Sequence, residues 1–283
     1  MDLSIVILNY KTQKLTRQCI KTVMLYEPAV EHEIIVVDND SGDGVEEMLR
    51  KHYPEVKIVQ SGRNLGYAAG NNLGIRQATG RYVMILNPDI TVRPGSIEAV
   101  IRYMDEHKDI GMVGPRLVKP DGSVDESCYR FPGYMIPIYR RTPLGRLAAG
   151  RRALDHYLMA DYDRRMTREV DWLLGAVLVV RRSALLNVGL FDERYFLYFE
   201  DTDWCRRFWQ AGHRVVYFTG AEMVHYHERL SARGSWFTSL FRRSTRIHIG
   251  SCIKYFRKWG KSGCLRGQES GSGPDGRPRV SKR

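Results

Sequence analysis

Four short apolar runs open the chain, and three of them end in polar clusters. Leu3–Leu8 runs into Asn9-Tyr10, Glu33–Val37 into Asp38-Asn39-Asp40-Ser41, and Tyr82–Leu86 into Asn87-Pro88-Asp89, with Val56–Gln60 as the fourth run. Continuous runs rich in Val, Ile and Leu suit strands buried on both faces of a parallel sheet. Between the first two, Leu15, Cys19, Val23 and Met24 recur at helical spacing. Helices are also expected near Asn71–Ala78 and over Ser96–His107, the latter before a strand at Gly111–Val113. This rhythm predicts an α/β domain with a largely parallel sheet, whose ligands bind beyond the carboxyl ends of the strands. The three polar clusters then face one crevice, although each alone is ordinary turn chemistry.

From Arg130 to Arg168 the periodicity fails, and prolines and arginines predict a mobile insertion or lid. Order returns at Val170–Val180, and a strand is expected over Arg214–Phe218. Just before it, Glu200, Asp201 and Asp203 fall within six residues, directly behind an apolar and aromatic run that begins at Phe196. The segment from Asp203 to Ala211 reads as a helix capped by Gly212, and acids favour a first helical turn. Capping accounts for one acid more readily than for three. A carboxyl beside apolar surface has a raised pKa, the property a general base near neutral pH requires.

The composition adds location more than class. The 283 residues are 43% hydrophobic, enough for one large domain or two small ones. The net charge is +12, and residues 229–283 carry all of it, with fourteen Lys and Arg against Glu269 and Asp275. The body is electrically balanced. Cys19, Cys128, Cys205, Cys252 and Cys264 are odd in number and scattered, which points to a reducing compartment. The opening apolar stretch is too short for a signal peptide, and no apolar run is long enough to span a bilayer. A cytoplasmic protein, or one resting on a membrane surface, is expected.

The loop Asn64–Asn72 has glycines spaced G-x-x-x-G, and the chain lacks a G-x-x-x-x-G-K-[ST] motif, so neither dinucleotide fingerprint nor P-loop is present. A glycine-bearing loop entering a helix still offers backbone N–H groups to an anion. Asp89 is a suitable hard oxygen ligand for Mg²⁺ or Mn²⁺. His225 is a candidate second ligand, with His227 in competition.

Taken in order, I-V-I-L-N-Y, V-V-D-N-D-S, N-L-G-Y-A-A-G-N-N, L-N-P-D, W-L-L-G-A, F-D-E-R-Y-F-L-Y-F-E-D-T-D-W-C-R-R and A-E-M-V-H resemble the family-2 glycosyltransferases from Ser4 to about Gly260. The likeness is to their rhamnosyltransferase-like branch, which builds bacterial cell-wall and surface polysaccharides. The resemblance implies a GT-A fold, with a mostly parallel central sheet flanked by helices. It also implies inverting transfer of a sugar, rhamnose being the branch's suggestion, from a dTDP- or UDP-linked donor to a glycan or polyprenyl-linked acceptor. By position it assigns Asn9, Tyr10, Asp38, Asn39 and Ser41 to the base and ribose. Asn64, Gly66 and Gly70 would line the nucleotide crevice. Asn87-Pro88-Asp89 stands where the family has D-x-D, so Asn87 removes a charge and Asp89 becomes the main anchor for Mn²⁺ or Mg²⁺. His225 matches the family's metal-binding histidine. Trp172, Gly175 and Ala176 would shape the acceptor side, and Asp201 would be the base. Glu200 is the alternative base, or with Asp203 an orienting, acceptor-binding or capping group.

The expected organisation is a catalytic domain over 1–228, with a nucleotide-binding half over 1–115 and an acceptor half over 116–228. A basic amphipathic helical segment over 229–260 and a disordered tail over 261–283 follow. Between Glu228 and Glu269 there is no acid, and Trp, Phe, Tyr and Ile alternate with Arg and Lys. Two uses of that segment are open, an anionic membrane surface or docking on the catalytic domain. Two other readings remain open. One is a non-catalytic sugar-nucleotide-binding protein. The other is a nucleic-acid binder acting through its cationic tail, against which the neutral body weighs.

Overall fold

The computed structural model describes residues 1–26, 28–226 and 243–260. The expected strands form at Leu3–Asn9 (β1), His32–Asp38 (β2), Lys57–Gln60 (β3) and Tyr82–Leu86 (β4). They pair in parallel in the order β3-β2-β1-β4, interleaved along the chain with helices Gln13–Leu25 (α1), Val45–His52 (α2) and Gly66–Gln77 (α3). β1 is buried along its whole length, which is why its sequence shows no alternation.

Beyond β4 come Ile90–Val92 (β5), helix Ser96–Glu106 (α4) and Ile110–Val118 (β6). Two-residue strands follow at Cys128–Tyr129 (β7), Arg168–Glu169 (β8) and Trp172–Leu173 (β9), then Val177–Arg181 (β10) and Arg214–His225 (β11). β10 inserts antiparallel between β4 and β6, and β11 runs parallel to β6, so a single nine-stranded sheet passes through both expected halves. β6 itself crosses residue 115. One apolar layer packs on each face of the sheet.

Two differences from the sequence expectations have physical causes. α3 begins at Gly66, not near Asn71, because side-chain amides satisfy the backbone N–H groups at its start. Asn39 Oδ1 accepts from Leu65 N–H at 2.9 Å and Asn64 Oδ1 from Gly66 N–H at 2.9 Å. Between Arg130 and Arg168, where no period was visible, the chain forms helices Ile136–Tyr139 (α5) and Ala148–Leu158 (α6). α5 is only four residues long and buries Ile136 alone, and α6 buries only Gly150 and Tyr157, so neither presents an apolar stripe long enough to read as a period.

After the short helix Leu185–Val188 (α7), helix Glu200–Gln210 (α8) buries Trp204, Cys205 and Phe208. The last described helix, Arg243–Trp259 (α9), docks on the body. Tyr255 is fully buried beside Arg206, Phe256 stacks on Tyr134 with centroids 4.3 Å apart, and Trp259 Nε1 donates to Asp203 at 2.8 Å. The aromatics of α9 thus pack inward. Residues 229–242, the expected tail 261–283 and His227 lie outside the described residues. Among the described residues, no helix is long and apolar enough to cross a membrane.

Candidate active site

Register pairs Asn9 with Asp38, so the polar ends of β1 and β2 lie side by side. Asn9 is fully buried and its amide is committed inside the protein. Its Nδ2 donates to Ser41 Oγ at 2.8 Å and to the Asp43 carboxylate at 3.2 Å, while Oδ1 accepts from Thr12 and Thr16. Asn39 is as occupied, binding Asn64 and the backbone of Leu65 and Gly66. Asp38 Oδ1 accepts from Ser41 N–H at 3.1 Å. Asn9, Asn39 and Ser41 therefore brace the rim, and Tyr10, 41% exposed, projects from it. Asp43 was missed in the sequence because it sits in a run of turn-formers. It accepts from Gln13 and Val45 N–H as well as from Asn9, tying α1 and α2 to the strand end.

Gly66 and Gly70, expected along the nucleotide crevice, are buried against protein. Gly66 has φ +80°, and a Cβ there would lie 2.2 Å from the Phe196 carbonyl; one on Gly70 would lie 2.6 Å from Leu8. Gly70 brings α3 close to Leu8 of β1, which would have to shift for a Cβ, whereas at Gly66 the positive φ and the Phe196 backbone leave no room for a side chain.

Antiparallel pairing of β5 with β11 sets His225 opposite Ile90, next to Asp89. His225 Nε2 lies 3.5 Å from Asp89 Oδ2, and its Nδ1 lies 2.8 Å from Asp125 Oδ2. Sequence reasoning brought the first pair together and missed Asp125, which returns through the turn after β6 and binds Leu117 by its N–H. Burial lowers the imidazole pKa, but Asp125 and Asp89 outweigh it and raise the value to about 9. Asp89 Oδ1 is buried with no hydrogen-bond partner. An orphaned carboxylate oxygen beside a histidine whose other nitrogen is held by an acid fits a divalent cation, which would take the place of the Nε2 proton that the two acids favour without it. Among the described residues no cluster of three or more such ligands exists, and Asp89 and His225 are the two that lie side by side here. Asn87, beside this pair, donates its N–H to the Ala176 carbonyl at 2.9 Å.

That bond joins the end of β4 to the Trp172–Ala176 segment. Tyr67 donates its hydroxyl to the Gly175 carbonyl at 2.5 Å, and Gly175 N–H donates to Asp201 Oδ2 at 3.0 Å. A Cβ on Gly175 would sit 3.2 Å from the Tyr67 hydroxyl and 3.4 Å from Asp201 Oδ2. Trp172 and Ala176 are buried, Trp172 stacked on Tyr129 at 4.4 Å, so they support this segment from behind.

The turn into α8 is strained: Tyr198 and Phe199 both have φ of 69°. It presents Glu200 and Asp201, which are 5% and 8% exposed. Asp201 Oδ1 accepts from Thr202 N–H at 2.7 Å, so with Gly175 both its oxygens are held. Burial pushes Asp201 up, and these donors oppose the shift. Glu200 is pushed well above the carboxylate range by burial and then by the charge of Asp201, and its Oε2 has no partner. Asp201 is therefore the first of the pair to ionise.

Asp203, expected among acceptor-binding or orienting groups, is turned away from this site. It is fully buried and bound to Arg207 at 2.9 Å, Lys258 at 2.7 Å and Trp259, so it fastens α9 to α8.

The chain matches the model of Glycosyl transferase family 2 over residues 4–166. It is 32% identical over 222 residues to N-acetylglucosaminyl-diphospho-decaprenol L-rhamnosyltransferase of Mycobacterium tuberculosis, covering 71% of this chain and 68% of that protein. It is 25% identical over 244 residues to the rhamnosyltransferase WbbL of Escherichia coli K12, covering 81% and 83% respectively. Among solved structures it resembles GalNAc-T7 with UDP, GalNAc and Mn²⁺ at a TM-score of 0.67 and 14% identity, over 93% of this chain and 49% of that one. That likeness concerns the fold, which is the GT-A architecture expected.

Proposed function

The chain belongs to glycosyl transferase family 2, and from that premise we propose inverting transfer of a sugar from a dTDP- or UDP-linked donor to a glycan or polyprenyl-linked acceptor. The place proposed for it is bacterial cell-wall or surface polysaccharide synthesis, on the cytoplasmic side of the membrane. Rhamnose is the first candidate sugar, since both relatives named above are rhamnosyltransferases.

Tyr10 and Asp38 are the groups at the strand ends that meet base and ribose, braced by Asn9, Asn39, Ser41 and Asn64. Asn87 and the start of α3 lie toward the diphosphate. Asp89 and His225 would hold Mn²⁺ or Mg²⁺, with Asp125 orienting the imidazole. When bound, such an ion offsets the charge that develops on the departing diphosphate.

Asp201 takes the proton of the acceptor hydroxyl, whose oxygen forms the new bond to the anomeric carbon. The bond to the diphosphate oxygen breaks on the opposite face and its electron pair leaves with the diphosphate. Gly175 N–H and Thr202 N–H hold both carboxylate oxygens, which fixes the direction of the base. Burial and the charge of Asp201 both disfavour ionisation of Glu200. General-base assistance of this kind contributes about 10²–10⁴-fold.

The single observation that carries this reading is the buried, unequally supplied Glu200–Asp201 pair beside Gly175. A donor screen tests it. With Mn²⁺ present, one class of nucleotide sugar should raise the melting temperature and undergo slow hydrolysis. A panel of dTDP- and UDP-sugars that neither protects nor turns over would overturn it.

A further inference from the structure

α9 shows one side to the body and another to the outside. At 100° per residue, His248, Ser251, Tyr255 and Trp259 share the inner side, where Ser251 Oγ donates to the Leu197 carbonyl at 2.8 Å. Ile249 and Ile253 fall on the flank next to Phe256 and are 41% and 47% exposed, and Arg246 and Arg257 point outward beyond them. Phe256 stacks on Tyr134, just ahead of α5, where Tyr134, Met135 and Ile138 are each more than 40% exposed. Arg141 lies close enough to Cys252 and His248 to act on both. Two elements far apart in sequence thus build one strip of exposed apolar side chains.

The two segments that supply the strip carry charge of one sign up to Asp155 of α6. From Gly133 to Leu154 there are five arginines and no acid, and from Arg243 to Gly260 there is again no acid. The strip also borders the candidate base. Phe199, immediately before Glu200, packs on His248, Tyr255 and Phe256 of α9, and Tyr157 of α6 lies within the field of Asp201.

We propose that this strip seats the enzyme on an anionic lipid bilayer, with Tyr134, Met135, Ile138, Ile249 and Ile253 entering the interface and the flanking arginines meeting lipid phosphates. Exposed apolar side chains in segments that also expose Arg140, Arg141, Arg146, Arg246 and Arg257 complement a charged lipid surface, which offers both an apolar layer and phosphates. Nucleic acid offers the phosphates alone. The use of such a seat rests on the polyprenyl-linked acceptor proposed above, but the seat itself does not. Bilayer contact here would bring a lipid-borne hydroxyl to the mouth of the site that holds Asp201.

The full-length protein is floated with vesicles rich in phosphatidylglycerol and with vesicles of phosphatidylcholine alone. Binding is expected to the anionic vesicles and to be weak with the neutral ones. Ile249→Glu/Ile253→Glu and, separately, Met135→Glu/Ile138→Glu should each reduce the bound fraction about tenfold. Melting temperature and donor hydrolysis in solution should stay unchanged, because none of the four side chains is in the core or the catalytic machinery. Failure to float with anionic vesicles overturns the proposal. So does flotation that is salt-sensitive yet indifferent to both pairs, since the cationic tail alone would then be the anchor. If flotation behaves as expected while no donor is turned over, the seat stands and the catalytic reading falls.

Discussion

Glu33 and the Glu200–Asp201 pair are buried acids of one molecule in opposite surroundings. Glu33 stands at the start of β2, away from the crevice, and accepts from Ser4 Oγ at 2.6 Å, Lys57 Nζ at 2.6 Å, and the N–H and hydroxyl of Thr79. Burial alone would raise its pKa, but these donors overcome it and hold the value at about 2. At the other end of the sheet, burial wins over fewer donors, and Glu200 keeps an oxygen with no partner. The acid that ties strands together is saturated, and the pair that must exchange a proton is left short. Asp203 shows that the contrast is local, since two residues after Asp201 it is as fully supplied as Glu33 and serves the packing of α9.

The sharpest way to break this contrast is at the other under-supplied acid. Asp89→Ala should lower transfer by about 10³-fold with little change in melting temperature, read from initial rates across a Mn²⁺ titration. Activity that survives both this substitution and exhaustive chelation would mean the N-P-D segment holds the donor by hydrogen bonds alone. Next in size is Asp203→Ala, which strands Arg207 and Lys258. It should destabilise the fold by about 3 kcal/mol in urea unfolding while leaving the donor's dissociation constant unchanged. A large loss of donor affinity with normal stability would return Asp203 to the active site.

Acid titration separates the two regions by sign. Glu33 has a depressed folded-state pKa, so its contribution is complete above the ordinary carboxylate range and drains away as pH falls through about 2. Glu200 and Asp201 have raised values, so ionising them above the ordinary range costs stability. Glu33→Gln should therefore flatten the fall of unfolding free energy below about pH 4.5. An unchanged acid limb would remove Glu33 from the structural set.

The parallel strands and the polar clusters at their ends were legible because burial on both faces forces unbroken apolar runs and leaves function to the termini. Asp89 and His225 were legible individually, and the β5–β11 pairing explains why they meet. Division of labour within the clusters was not legible. Asn9, Asn39 and Ser41 look like ligand groups in sequence, but their hydrogen bonds are spent on the rim itself, a matter of long-range contacts. Gly66 and Gly70 resembled a phosphate loop, and the constraint on them is the closeness of α3 to Phe196 and Leu8. Asp43 and Asp125 were hidden among turn residues whose partners lie far along the chain. The sequence of α9 left docking and membrane contact equally open, and only the packing shows that Tyr255, Phe256 and Trp259 face the body while Ile249 and Ile253 do not.

The most direct test measures Asp201→Asn and Glu33→Gln side by side, for turnover and for unfolding free energy in urea. Asp201→Asn should lose about 10²–10⁴-fold in kcat, keep its donor affinity, and lose less stability than Glu33→Gln, because removal of a costly buried charge offsets the backbone donor that the amide nitrogen leaves unsatisfied. Glu33→Gln should keep its kcat and lose about 2 kcal/mol of stability, as Lys57 and Thr79 are left under-satisfied. Full turnover by Asp201→Asn, or a kcat loss confined to Glu33→Gln, would contradict the division between the acids that hold the fold and those that carry the chemistry.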